Sequence, residues 1–574
     1  MIKTFNFKGH YLIKESLISI LFLVFLSFCN QVDAAPGSVE KKFPSNLKTC
    51  TGAAFDGKLL WLADHSLDVL VAVEPSTGKE LRRIKSPGYR PAGLAFDGQQ
   101  LWNVDTSTAQ LYRIRTNDAL TTRVIPSPVA VPHALAFDGK NLWVSDDATR
   151  AIHQVDPEDG TTISEIPFPS KSVDGLAFDG KYLWAADRLS DQLYAIDVPS
   201  AQVVATLPAP GPYSSGLAFI KNRLIVTDYQ TDEVYLISTD DTTHVIKTDP
   251  KVEWVVFTSQ LRNFGPDTVP SAQLLLAIPG KTIGQDLLEG PVFEPKGFLT
   301  KTDQWNQRVA VFNFNDLRPG KWATVKMTVK VRAWSVHHVI YPHKVYGLGK
   351  IPPAIRKRYL KDESKYLIHN PVIRAAVKEA VGRERNPYWI ARKIYGYIHK
   401  KMHYEMLGGW DVAPKVLKRG SGSCSEYSFV FIAMCRAAGL PARYSGSLVV
   451  RRDDASYDDV FHRWVEVYLP PYGWIPVDPS RGDKPTEAQR ADSFGHLYHD
   501  FLVTTHGGGA SDLMDWNYNS NFRYTCAGRC KVETESIAEW SPENPGKTNQ
   551  VLQKPATRDE QIFNPQETES CGSP

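Results

Sequence analysis

The alternation of apolar and polar residues takes three successive forms along the 574-residue chain. From about residue 50 to 248, short apolar strings are separated by turn residues. One string, Ala-Phe-Asp-Gly, places phenylalanine at 55, 96, 137 and 178, with a variant at Phe219, each 41 residues after the last. The same interval relates Trp61, Trp102, Trp143, Trp184 and Ile225, and also Asp64, Asp105, Asp146, Asp187 and Asp228. From 250 the repeat stops and longer alternating strings follow, among them Val252–Phe257, Ala272–Leu276, Val309–Phe314 and Ala323–Val329. After 355 the period becomes helical, as in Ile390, Ile394 and Ile398.

Within one copy of the repeat, 93–96, 101–104, 111–114 and 122–125 are each short and rich in β-formers. Four strands per unit of about forty residues predicts a blade of a β-propeller. Five copies in register predict about five blades, with a divergent sixth left open. The units resemble YVTN-type, quinoprotein-like propeller repeats over about 50–248, which implies a propeller domain at 40–248. In a blade, the tryptophans are expected to pack between sheets rather than bind carbohydrate. The aspartates follow strands and precede polar turns, where side-chain-to-backbone hydrogen bonds are expected rather than metal ligation. The alternating strands of 250–345 predict a β-sandwich. His337-His338 ends that region, and with no third ligand nearby in sequence the pair reads as two strand residues facing opposite ways.

Asn370-Pro371 and Asn386-Pro387 each supply an N-cap followed by proline at the first helical position. Next, the loop Gly420-Ser421-Gly422-Ser423 opens onto Cys424-Ser425-Glu426-Tyr427, and Gly439 and Pro441 close that helix. A cysteine at a helix N-terminus meets free N–H groups and the positive end of the dipole, which favour its thiolate and can stabilise an oxyanion. His462 begins the alternating string His462–Tyr468, and Asp478 ends Gly473–Val477 after a Pro-Tyr-Gly turn. If these strings pair as a hairpin, Asp478 can hold one nitrogen of His462 while the other faces Cys424.

Gly422–Tyr427, Arg436–Arg443, His462–Val467 and Gly473–Pro479 occur in the order Cys, His, Asp. Residues 370 to about 502 thereby resemble the transglutaminase-like, cysteine-protease-like superfamily. The resemblance implies an α+β, papain-like catalytic domain at 355–506, with Cys424 as nucleophile, His462 as general base and acid, and Asp478 as orienter. It also implies an oxyanion or substrate groove at Trp410, after Gly408-Gly409, and at Ser425. The preceding sandwich is similar to the Ig-like module found before bacterial domains of this kind. The activity implied is thiol chemistry on an amide through a thioester. Hydrolysis by a protease or amidase is the expected outcome, with protein-glutamine transamidation as the alternative and a non-catalytic propeller scaffold as the rival. No cofactor and no metal are implied. The implied partners are a protein or peptide-like substrate, cell-envelope polymers included, with the propeller as an interaction surface.

Composition adds an address and an exclusion. Lys3, Lys8 and Lys14 precede the apolar run Leu17–Phe28, and Val32-Asp33-Ala34 offers small residues before a cleavage site. This predicts a signal peptide over 1–34, cut after Ala34, and a periplasmic or secreted chain. The run is too short for a membrane span. Acylation at Cys29 is disfavoured by the bulky Phe28. A net charge of +3, from 66 basic and 63 acidic residues, offers no field for nucleic acid. Of the seven cysteines, Cys526 and Cys530 are expected to form a local disulfide and Cys435 to be a core residue, while Cys50 and Cys571 pair elsewhere or stay free. Residues 507–574 read as a polar, partly ordered extension.

Overall fold

The computed structural model describes residues 35–406, 410–450, 456–526 and 528–542. The expected signal peptide with Cys29, the Gly408-Gly409 pair and Cys571 lie outside the described residues. The chain divides into two compact units. Of the described residues, those up to 248, within 335–445 and within 463–498 belong to the first, and those within 249–334, within 446–462 and from 499 on to the second. Among the described residues no helix is long and apolar enough to cross a membrane.

In the first unit, the 41-residue repeat folds as five four-stranded antiparallel sheets. Their first strands are Cys50–Phe55, Pro91–Phe96, Pro132–Phe137, Gly175–Phe178 and Ser214–Ile220. Each touches the next and the fifth returns to the first, so the sheets close into a ring. Ala53-Ala54-Phe55 of the first strand and the Leu-Ala-Phe strings of the other four surround an axial channel of about 110 Å³. Close approach of neighbours requires a small residue at one repeating position. A Cβ on Gly52 would lie 2.1 Å from the Ala92 carbonyl oxygen, and one on Gly93 2.3 Å from the Leu135 nitrogen. Gly175 and Gly216 occupy the equivalent positions, and Ala134 alone carries a methyl.

The repeated polar residues close turns. Trp61, Trp102, Trp143 and Trp184 are at most 2% exposed. Each indole N–H donates at 2.8–2.9 Å to the carboxylate five residues earlier, Asp56, Asp97, Asp138 or Asp179. In the fifth copy, Ile220 and Ile225 replace both partners, so neither donor nor acceptor is left buried alone. The second set of aspartates ties each hairpin turn to the loop before the first strand. Asp105, for example, accepts from the Ser107, Thr108 and Arg90 N–H groups.

The fifth sheet takes its outer strand from elsewhere. Val39–Pro44 pairs antiparallel with Glu233–Ser238, register Pro44 to Glu233, and closes the ring with the start of the described chain. The other part of this unit is helical, built on Pro371–Val381, Pro387–Lys401 and Cys424–Ala437. The Asn370 and Asn386 side chains accept from the N–H two residues on, capping helices that begin with proline as the sequence predicts. Ile390, Ile394 and Ile398 form the buried stripe of the second.

The second unit packs two sheets around Val255, Phe257, Leu274, Phe312, Val325 and Trp540. Its strands come from the expected sandwich and from the region read as an extension. Ser520–Thr525 pairs with Val269–Ala277, and Cys530–Ser541 with 254–266. The ordered part of the expected extension thus reaches residue 541 and consists of strands of this unit. Its polar composition reflects strands with one solvated face, where Glu539 is exposed between buried Ala538 and Trp540. Cys526 and Cys530 form a disulfide.

Candidate active site

Cys424 is the first residue of a 14-residue helix, with Ser423 as N-cap. It is 8% exposed and takes part in no disulfide. The loop in front of it is held by a buried carboxylate. Glu426, with no exposed side-chain surface, accepts from the Ser423 N–H at 3.1 Å, the Asp411 N–H at 3.1 Å and the Arg419 guanidinium at 2.8 Å. Gly422 permits this clamp, since a Cβ there would lie 2.9 Å from Glu426 Oε2. A short parallel pairing of His403-Tyr404 with Ser421-Gly422 fixes the loop from its other side.

The strand His462–Leu469 pairs antiparallel with Gly473–Val477, Val465 opposite Val477, so the expected hairpin is present. In this register the next pair outward is Trp464 opposite Asp478, and His462 stands two residues before Trp464 at the strand's start. The His462 ring stacks on Phe501, centroids 5.5 Å apart. The Ser428 hydroxyl donates to the Cys424 carbonyl at 2.9 Å and to the Arg463 carbonyl at 3.4 Å, joining the first turn of the helix to this strand.

Asp478 is 7% exposed. Its Oδ1 accepts from the Ser480 N–H and hydroxyl and from the Arg481 N–H at 2.8–3.0 Å, a turn that sets the direction of the carboxylate. Its own N–H donates to the Ser493 carbonyl. Ser425 is buried as the second residue of the Cys424 helix. Trp410 faces Arg463. That guanidinium has no exposure and lies 4.8, 5.1 and 4.6 Å from the ring centres of Trp410, Phe429 and Tyr444. Trp410 thus packs one wall of a cation cage beside the strand that carries His462.

The other thiols are suppressed. Burial pushes Cys50 up to about 12 and Cys435, eleven residues along the Cys424 helix, well above the ordinary thiol range. Burial also pushes the His337 and His338 imidazoles down to about 4 and about 3. Two positioning residues escape a search for catalytic types. Glu426 was legible in the Ser423-x-x-Glu426 spacing of a capping box. Arg463 gives no such signal, because its cage is assembled from three separate segments.

Residues 374–479 match the Transglutaminase-like superfamily. An uncharacterized protein of Haemophilus influenzae is 31% identical over 161 residues, covering 23% of this chain and 44% of that protein. A protein-glutamine gamma-glutamyltransferase of Pseudomonas aeruginosa is 27% identical over 158 residues, 24% of this chain and 23% of that protein. The chain spans less than half the length of these curated relatives. A crystal structure from Cytophaga hutchinsonii named "Putative Cysteine Protease" aligns with a TM-score of 0.37 at 13% identity, covering 52% of this chain and 99% of that one. Residues 374–479, from the helix after Asn370 through the hairpin that ends at Asp478, are a transglutaminase-like domain.

Proposed function

We propose that the protein is a cysteine-dependent enzyme that cleaves amide bonds through a thioester. The observation that carries this reading is Cys424 as the first residue of a helix whose leading loop is clamped by buried Glu426. Cys424 Sγ, its proton passed to His462, adds to the amide carbonyl carbon. The C–N bond then breaks as His462 returns the proton to the leaving amine. First-turn N–H groups, with Ser425 among them, receive the oxyanion, and Asp478 orients the imidazole. Water, deprotonated by His462, then attacks the thioester, releasing a carboxylic acid and the thiol.

The ring of five sheets is read as a five-bladed β-propeller over 40–248, a surface for protein or envelope-polymer partners. The sandwich is read as an Ig-like module built on 250–345, and 1–34 as a signal peptide that directs the chain to the periplasm or beyond. Labelling of the folded protein with an iodoacetamide probe near neutral pH tests the enzymatic reading. Cys424 is expected to react while Cys50 and Cys435 do not, and His462→Ala is expected to lose the labelling. Equal reactivity of all three thiols would leave a binding scaffold instead. A second reading, transamidation, is favoured by the name of the Pseudomonas aeruginosa relative. Incubation with a glutamine-containing peptide and a labelled amine separates the two, since amine incorporation requires an amine in place of water at the second step.

A further inference from the structure

His337 and His338 lack a nearby ligand in sequence, and the fold supplies what the sequence leaves out. At the end of the strand Trp322–His338, His337 pairs directly with His496 across an antiparallel bridge. The two rings stand edge to face with centroids 5.5 Å apart. Asp492, at the last turn of the short helix Glu487–Asp492, adds a carboxylate whose Oδ1 lies 2.6 Å from His496 Nδ1. Ligand atoms from the three residues all lie within 4.8 Å of one another. All three belong to the first compact unit.

We propose that His337, Asp492 and His496 form a binding site for a divalent metal ion of the zinc class. Two imidazoles and one carboxylate are a donor set that zinc accepts, with a fourth position for water. Tetrahedral bonds of about 2.0–2.1 Å place ligand atoms roughly 3.4 Å apart. The cluster therefore closes by side-chain movements of about 1 Å, with the ion taking the place of the proton shared by His496 and Asp492. Two observations favour a ligand over a polar stitch. The Tyr498 hydroxyl donates to Asp492 Oδ2 and holds the carboxylate from outside, as the outer partners of metal ligands do. That stitch also satisfies Asp492 and His496 but leaves His337, half-buried beside them, without a side-chain hydrogen bond among the described residues. A cation engages all three.

The position of the site gives it a structural role. Ala488 and Ala491 of the Asp492 helix pack into the core of the fourth sheet with Leu183, Ala185 and Val203, and the Ala488 N–H donates to the Pro169 carbonyl. His337 lies on a different segment, just before Ile340 and Tyr341. An ion on these three side chains would staple the helix docked on the ring to the strand that leads into the helical part. The proposal is independent of the chemistry at Cys424.

Full-length protein stripped with a chelator and titrated with zinc chloride by calorimetry tests it. Expected is one ion per chain with a Kd of about 1 μM or tighter. Cobalt(II) loading should give the visible absorption of a tetrahedral centre. His337→Gln, His496→Gln and the half-exposed Asp492→Asn should each weaken binding at least about tenfold, roughly 1.4 kcal/mol, while the exposed His403→Ala leaves it unchanged. Should a histidine variant fail to fold, Asp492→Asn and the wild-type titration decide. No binding by the wild-type chain below about 100 μM zinc, or undiminished affinity in Asp492→Asn, overturns the proposal.

Discussion

At Cys50 a single thiol carries a pH dependence whose sign follows from burial. The side chain is 2% exposed at the start of the first sheet, and burial pushes it from an ordinary 9.0 up to about 12. The folded state therefore favours the neutral thiol. This contribution is complete below about pH 9, where the unfolded thiol is also neutral, and is lost as pH rises from 9 towards 12. The size is on the order of 4 kcal/mol over the whole window, about 1.4 kcal/mol per pH unit. In urea unfolding, Cys50→Ala is expected to match the wild-type slope of stability against pH below 9 and to fall less steeply between 9 and 10.5. Parallel curves across that range would show that Cys50 ionises as readily in the fold as in the open chain. Cys50 and Cys435 are also the more deeply buried thiols, at 2% and 0% exposure against 8% for Cys424. The sequence distinguished them through Gly422-Ser423 before Cys424 and the apolar neighbours of Cys435, because helix starts leave local marks. Arg463 left none, because its three aromatic neighbours converge only after folding.

Among the strands, those that close the two sheet systems were the hardest to read, and the reason is physical. In Val39–Pro44 only Phe43 is buried, and the remaining residues, two lysines and a glutamate among them, face solvent. Such an edge strand has no period-two apolar pattern, and its partner Glu233–Ser238 lies at the far end of the repeat. The repeat itself points to residues near 245 for the fourth strand of the fifth sheet. The chain instead leaves the ring there in the long strand Val245–Pro266. Cys530–Ser541 was obscured in the same way by its charged face. The inner strands were legible because both faces are buried and the 41-residue period marks them. Phe43 is the one large apolar anchor of the closing strand, and it packs against Gly78 in the turn before the last strand of the first sheet, where a Cβ would meet its ring at 2.3 Å. Phe43→Ala is expected to cost about 3 kcal/mol and to speed hydrogen exchange along 233–238 more than along 110–114. Uniform protection across both segments, with unchanged stability, would mean that the ring holds without its closing strand.

The ring and the helical part belong to one compact unit, joined by the apolar docking of the helix Glu487–Asp492 and by several polar contacts. Arg392, 3% exposed, donates to the Gln202 side chain at 3.0 Å and to the Val203 carbonyl at 3.3 Å on the outer strand of the fourth sheet. The Tyr182 hydroxyl meets His343 Nδ1 at 2.7 Å. Asp241, just past the fifth sheet, accepts from the Tyr472 hydroxyl and from the Lys344 ammonium. Tyr472 lies in the turn of the hairpin between the strands His462–Leu469 and Gly473–Val477, and its hydroxyl also accepts from the Tyr341 N–H at 3.2 Å. None of these pairings could be read from the chain, because each joins segments more than a hundred residues apart with no shared pattern. They make the ring a support for the hairpin that presents Asp478. Asp241→Ala removes the shared acceptor and leaves the Tyr472 hydroxyl buried with one partner fewer, a loss of about 2–3 kcal/mol. Because the loss falls between the ring and the helical part, calorimetry is expected to show one transition for this unit in the wild type and two in the variant. A lowered but still single transition would place the coupling in the Arg392 and Tyr182 contacts instead, and Arg392→Met in the Asp241→Ala background would then be the substitution that divides it.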